Sequence, residues 1–255
     1  MKVTILGCGC SGGVPLIGNI WGDCDPNEPR NRRQCCSILV EEGETTLLVD
    51  TSPDMRAQLL ACNLKSLTAV LYTHSHADHC HGIDGLRSVN WLIGKPVPIY
   101  GSEETIQELT ERFPYIFGDR DATKKFYKPA LEPHVIAGDL VFGSLRVKSF
   151  EQKHGAGKTL GFRFNDLVAY STDVNELDET AFGALSGVKN WIVDCARERS
   201  HPSHANLPLS LSWIERIKPE RAWLTHMDHS MDYATLAARL PPGVAPAYDG
   251  LVIEC

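Results

Sequence analysis

The sequence predicts an α/β protein of two β-sheets with helices outside. Two observations lead there. Short apolar, β-branched runs recur along the chain, and stretches of helical periodicity stand among them without a regular βαβ alternation. The runs are KVTIL (2–6), CSILVEE (36–42), TTLLVDT (45–51) and LTAVLYT (67–73). After a gap come LRVKSFE (145–151), LGFRF (160–164), LVAYST (167–172), NWIVDC (190–195) and RAWLTH (221–226). Helical patterning covers 53–62, 102–112, 205–217 and 231–240, and Asn206 to Pro208 give the third of these a start signal.

No internal repeat or low-complexity linker divides the 255 residues, so one domain over 1–255 is expected. Residues 113–134 stand apart, mixing aromatics, charges and prolines with weak periodicity. They read as a lid or an inserted loop, with a poorly patterned helix as the alternative. Hydrophobic content of 43% and charged content of 22% are ordinary for a globular protein, and no apolar run is long enough for a membrane span. The formal charge of -7 argues against broad affinity for nucleic acid. The N-terminal MKVTILGCGCSGG reads as a first strand, not an export signal. Nine cysteines then point to reduced thiols in a cytoplasmic protein, most of them small buried hydrophobes.

GCGCSG places Gly7, Gly9 and Gly12 after a strand, in the spacing of a dinucleotide-binding turn. The context fails: GVPLIGNIWGDCDP follows, and its Pro15, Gly18 and Gly22 allow no helix. A glycine-rich turn bringing backbone close to a site is the better reading.

THSHADHCHG (73–82) packs four histidines and an aspartate into ten positions. His74 and His76, two apart at a strand end, can project on one side, while Asp78 and His79 follow a bend and can face a second point. Two groups at each of two points suggest a dinuclear metal site. Partners should come from other strand ends, where His154, Asp173 and His226 stand. Asp50, at a fourth such end, would orient a ligand histidine. His81 and His134 receive no ligand role. Arg32 and Arg33 are candidates for an anionic substrate group, and His229 for support behind the ligands.

THSHADH, with the downstream His, Asp and His, resembles the H-x-H-x-D-H motif of the metallo-β-lactamase superfamily. The resemblance implies an αββα sandwich of two mixed β-sheets flanked by helices, with metals at one edge. It implies that His74, His76 and His154 hold one ion, that Asp78, His79 and His226 hold the other, and that Asp173 bridges them. GCGCSGGVP, NRRQCCS (31–37) and SHANLPLS (203–210) resemble the phosphoribosyl cyclic phosphodiesterase branch, in which a histidine at the position of His204 is the general acid. His201 is its rival within SHPSH. That branch also carries a structural zinc on a cysteine cluster. Here the loop WGDCDPNEP keeps only Cys24, so no structural zinc is expected.

The chemistry implied is hydrolysis with two divalent ions, zinc or manganese, at a centre that includes the catalytic Asp78. The expected substrate is a small cyclic phosphate or nucleotide-like phosphodiester. A thioester or lactone hydrolase on the same fold is the alternative, and a non-catalytic metal-binding protein a remoter one. RNA processing would want a basic docking arm, which the sequence lacks. A homodimer is one assembly the sequence leaves open.

Overall fold

The computed structural model describes residues 1–118 and 130–255. Its strands form two seven-stranded sheets. The first sheet contains β1 (Lys2–Gly7), β2 (Ser37–Glu42), β3 (Thr45–Val49), β4 (Ala69–Leu71), β5 (Val97–Gly101) and β6 (Leu131–Val135). The second contains β7 (Leu140–Phe142), β8 (Leu145–His154), β9 (Gly157–Phe164), β10 (Val168–Ser171), β11 (Asn190–Asp194), β12 (Arg221–Thr225) and β13 (Val244–Pro246). The last strand, β14 (Val252–Glu254), returns to the first sheet beside β1. Both sheets are mixed: β1 to β3 pair antiparallel and β3 to β6 parallel, while β7 to β10 pair antiparallel and β10 to β13 parallel.

Period-two alternation sorts the first sheet into two faces. Val3, Ile5, Ile38, Val40, Leu47, Val49 and Leu71 turn inward and pack with Phe150, Phe162, Phe164 and Trp191 of the second sheet. Their neighbours Leu6, Leu39, Leu48 and Val70 turn outward under α1 (Met55–Ala61), α3 (Leu86–Ile93) and α4 (Glu103–Arg112), separated by the one-turn α2 (Ala77–Cys80). Behind α4 lies the short α5 (Pro114–Phe117). On the second sheet's outer side Phe182 of α6 (Glu179–Leu185), Trp213 of α7 (Leu207–Ile217) and Leu236 of α8 (Tyr233–Ala237) close the core. The result is the expected αββα sandwich.

Segment 113–134 departs from its reading as a lid or loop at both ends. Residues 114–117 are helical, and 131–135 form β6, which completes the sheet beside β5. An edge strand tolerates Pro133, which is why LEPHV carries no strand signal. Residues 119–129 of that segment lie outside the described residues.

The glycine-rich turn is a crossing point and opens no helix. Gly9 pairs with both Cys35 and Met227, so three chain segments meet there. A Cβ on Gly7 would stand 2.1 Å from the Cys35 carbonyl oxygen, and only glycine allows that approach.

Candidate metal centre

Four strands of the sandwich deliver polar side chains at one edge. Asp50 follows β3, Asp173 follows β10, His226 follows β12, and His154 ends β8. Asp50, Asp173 and His226 have left-handed backbone, with φ of 63°, 53° and 60°. Such conformations cost about 1 kcal/mol or more each for residues with a Cβ, and they persist where the surrounding structure fixes them. Here they swing each side chain out of the strand's alternation and into the gap between the sheets. The ligand-rich segment arrives after β4, where His76 precedes α2 and Asp78 and His79 lie within it.

Two clusters result. The ring nitrogens of His74, His76 and His154 approach one carboxylate oxygen of Asp173, with His74 Nε2 at 3.8 Å and His154 Nε2 at 3.6 Å from Oδ2. Asp78, His79 and His226 gather about the other, with His79 Nε2 at 3.0 Å and His226 Nε2 at 3.4 Å from Oδ1. Asp78 Oδ2 closes the second group at 3.4 Å from His79 Nε2 and 3.6 Å from His226 Nε2. Ligand atoms ~2.1 Å from one tetrahedral ion stand ~3.4 Å apart, so these spacings fit a cation in each cluster. The Nε2 atoms of His74, His79 and His226 are buried without a hydrogen-bond partner. Orphaned acceptors aimed at a common point are what a cation satisfies.

Outward hydrogen bonds hold the rings. His79 Nδ1 donates to Asp50 Oδ2 at 2.7 Å, and Asp50 also accepts from the backbone N–H and hydroxyl of Thr73, each at 2.8 Å. His154 Nδ1 donates to the Ser203 carbonyl at 2.7 Å. Fixing Nδ1 as the donor leaves Nε2 as the lone-pair face. Burial alone would raise the Asp173 carboxyl, but the facing His226 and His79 outweigh it and hold it well below its ordinary value. Burial works against the charge on His226, yet Asp173 and Asp78 push it up to about 9. Burial and the neighbouring His79 keep His74 well below the ordinary value.

His204 stands beside this centre. Its ring stacks on His226 with centroids 4.5 Å apart, and its Nε2 lies 3.9 Å from Asp173 Oδ2. His204 Nδ1 donates to Asp194 Oδ2 at 3.1 Å, and that oxygen also accepts from the Val174 N–H at 2.9 Å. Two residues on, Asn206 caps α7 by accepting from the Leu209 N–H, which pins the loop carrying His204. Asp194 was missed by sequence reasoning, although it ends β11 much as Asp50 follows β3. His201 lies with its ring centroid 5.0 Å from that of His204, and its Nδ1 is engaged by Ser203.

The two arginines separate. Arg33 borders the same cavity as Arg32, but its guanidinium is held inside the protein. It is 2% exposed, and its guanidinium donates to the carbonyls of Asp228 and Met231 and to Asn31 Oδ1. It thereby ties the loop before β2 to the segment after β12, and it also faces Cys24 Sγ at 3.9 Å. Arg32 is exposed, lies over the Trp21 ring at 5.1 Å, and lines a cavity of 910 Å³ with the glycine turn. The His229 ring packs against Gly22, and its carbonyl accepts from the Asp23 N–H.

Residues 45–227 match the model of a β-lactamase superfamily domain. The chain belongs to the metallo-β-lactamase superfamily. A crystal structure described as a new diphosphatase from the PhnP family superposes with a TM-score of 0.89 at 31% identity, over 99% of this chain and 96% of that one. An octanoyltransferase of Porphyromonas gingivalis is 29% identical over 98% of this chain and 51% of that protein. A ribonuclease Z of a Bradyrhizobium strain is 29% identical over 53% of this chain and 46% of that protein. The chain spans about half the length of these two curated relatives. Family and site together give this superfamily member two clusters of His and Asp side chains that could each hold a metal ion.

Proposed function

We propose that the chain hydrolyses a phosphodiester or phosphoanhydride bond in a small anionic substrate, with two divalent ions, zinc or manganese. The observation that carries this is the bridging geometry of Asp173, one oxygen of which faces each ligand cluster, with His204 alongside. Two bound divalent ions would acidify a water toward a pKa of about 7 and neutralise charge on the phosphoryl oxygens. His74, His76 and His154 would hold one, Asp78, His79 and His226 the other. His204, oriented by Asp194, donates the proton that the leaving oxygen requires. Arg32, on the wall of the cavity beside the glycine turn, meets an anionic group away from the reacting bond.

The diphosphatase relative supports phosphorus chemistry, and the ribonuclease Z relative keeps RNA among the substrates to be assayed. All nine cysteines are free of disulfides, which fits the reducing cytoplasm. Among the described residues no helix is long and apolar enough to cross a membrane.

The test is metal analysis together with hydrolysis of bis(p-nitrophenyl) phosphate by the wild type, Asp173→Ala and His204→Ala. Two metals per chain with turnover, lost in Asp173→Ala and strongly reduced in His204→Ala, is the expected result. Two metals without phosphodiester or diphosphate turnover would move the activity to thioesters or lactones.

A further inference from the structure

Resting on the reading that His74, His76 and His154 hold one ion, we propose that Glu108 and Arg112 of α4 aim the His76 ring by clamping the Ser75–His76 peptide. They are positioning residues for that ion. The rings of His74, His79 and His154 are each held from outside through Nδ1, which donates to the Thr73 hydroxyl oxygen at 3.0 Å, to Asp50 and to the Ser203 carbonyl respectively. His226 is 3% exposed and is fixed by its packing. His76 has neither kind of support. It is exposed, and among the described residues no hydrogen bond reaches its ring. Its direction must come from the backbone.

That backbone is gripped by α4. Ser75 stands between His74 and His76, and its hydroxyl donates to Glu108 Oε2. The Ser75 carbonyl accepts from the Arg112 guanidinium and, at 3.1 Å, from the Cys80 thiol. A peptide is planar, so holding this carbonyl also holds the nitrogen and Cα of His76. Only torsions within His76 then separate the clamp from the ring. Arg112 also faces Cys80 Sγ at 3.5 Å, so α4 touches both residues that bracket His76 to His79. Glu108 and Arg112 lie one helical turn apart on one face of α4, with their charged groups 4.0 Å apart. The helix beneath them is anchored: Ser102 caps it by accepting from the Thr105 N–H, and Thr105, Ile106 and Leu109 are buried. At 48% and 38% exposure, either side chain alone would make a weak bond. Here their bonds and that of Cys80 converge on one residue.

The experiment is the stepwise removal of zinc from the metal-loaded protein by a chromophoric chelator, which reads a dissociation constant for each ion. The variants are His76→Ala, Arg112→Ala, Glu108→Ala, Glu108→Gln and Glu111→Ala, beside wild type. His76→Ala marks the constant that belongs to the first ion. Arg112→Ala and Glu108→Ala should weaken that constant ~10-fold or more and leave the other unchanged. Glu108→Gln keeps an oxygen acceptor for the Ser75 hydroxyl and should recover most of the affinity. Glu111→Ala, an exposed position of α4 that accepts from Gln107, should match wild type. Unchanged constants in both Arg112→Ala and Glu108→Ala overturn the proposal. So does an equal loss at both ions, which marks a loosened fold and not an aimed ring. A wild type in which His76→Ala shifts neither constant refutes the ligand assignment, and the clamp with it. Should Arg112→Ala fail to fold, Glu108→Ala and its rescue by Glu108→Gln decide.

Discussion

His204 and Asp194 form a pair whose parts can be separated experimentally. Removing the imidazole in His204→Ala should lower kcat ~100-fold or more while both metals stay bound, since His204 is not among the ligands assigned to either ion. In Asp194→Asn the ring remains but loses its charged acceptor, so kcat should fall less, again with metal retained. The two arginines predict opposite phenotypes. Arg33→Met removes a buried guanidinium from three acceptors, two of which keep a backbone donor while the Met231 carbonyl loses its partner, and denaturation should show a loss of ~1–3 kcal/mol, with KM unchanged. Arg32→Ala should raise KM for a charged phosphodiester and leave stability and kcat near wild type. Sequence alone could not tell these neighbours apart. Their alternation places one side chain inside and the other in solvent, but only the fold shows which.

The strand ends carry the site, and much of this was legible. Asp50, His154, Asp173 and His226 each terminate an apolar run, and the sandwich brings those ends to one edge. Asp194 obeyed the same rule at the end of β11 and could have been found by it. The Ser203 carbonyl that holds His154 carries no sequence signal, because any residue supplies a carbonyl. Strands β5, β6 and β13 contain Pro98, Pro133 and Pro246, which removed them from a propensity reading. Helix α3 escaped because Trp91 and Leu92 spoil its polar face. At the crossing of β1, the residues before β2 and the end of β12, Gly7→Ala should cost about 3 kcal/mol or more, measured as a lower denaturation midpoint. The same glycines that suggested a nucleotide turn thus serve close packing of backbone.

Across the whole molecule, Asp249 links the chain's last turn to its first. Its carboxylate accepts from the Cys8 and Gln34 N–H groups at 3.1 and 2.7 Å, and burial pushes it up to about 7. The folded chain therefore keeps a proton there between about pH 4 and 7 that the unfolded chain has released. Stability from this group is fully present below about pH 4 and is lost as pH rises to 7, by at most ~4 kcal/mol. The difference in unfolding free energy between wild type and Asp249→Asn, followed from pH 4.5 to 7.5, should shrink as pH rises. The proposed chemistry rests on two ions joined by one carboxylate. Its most direct test is the number of zinc or manganese ions per chain, by elemental analysis after reconstitution and desalting. Two are expected in wild type and fewer in Asp173→Ala. A wild type that retains none, or an Asp173→Ala that retains both, would contradict it.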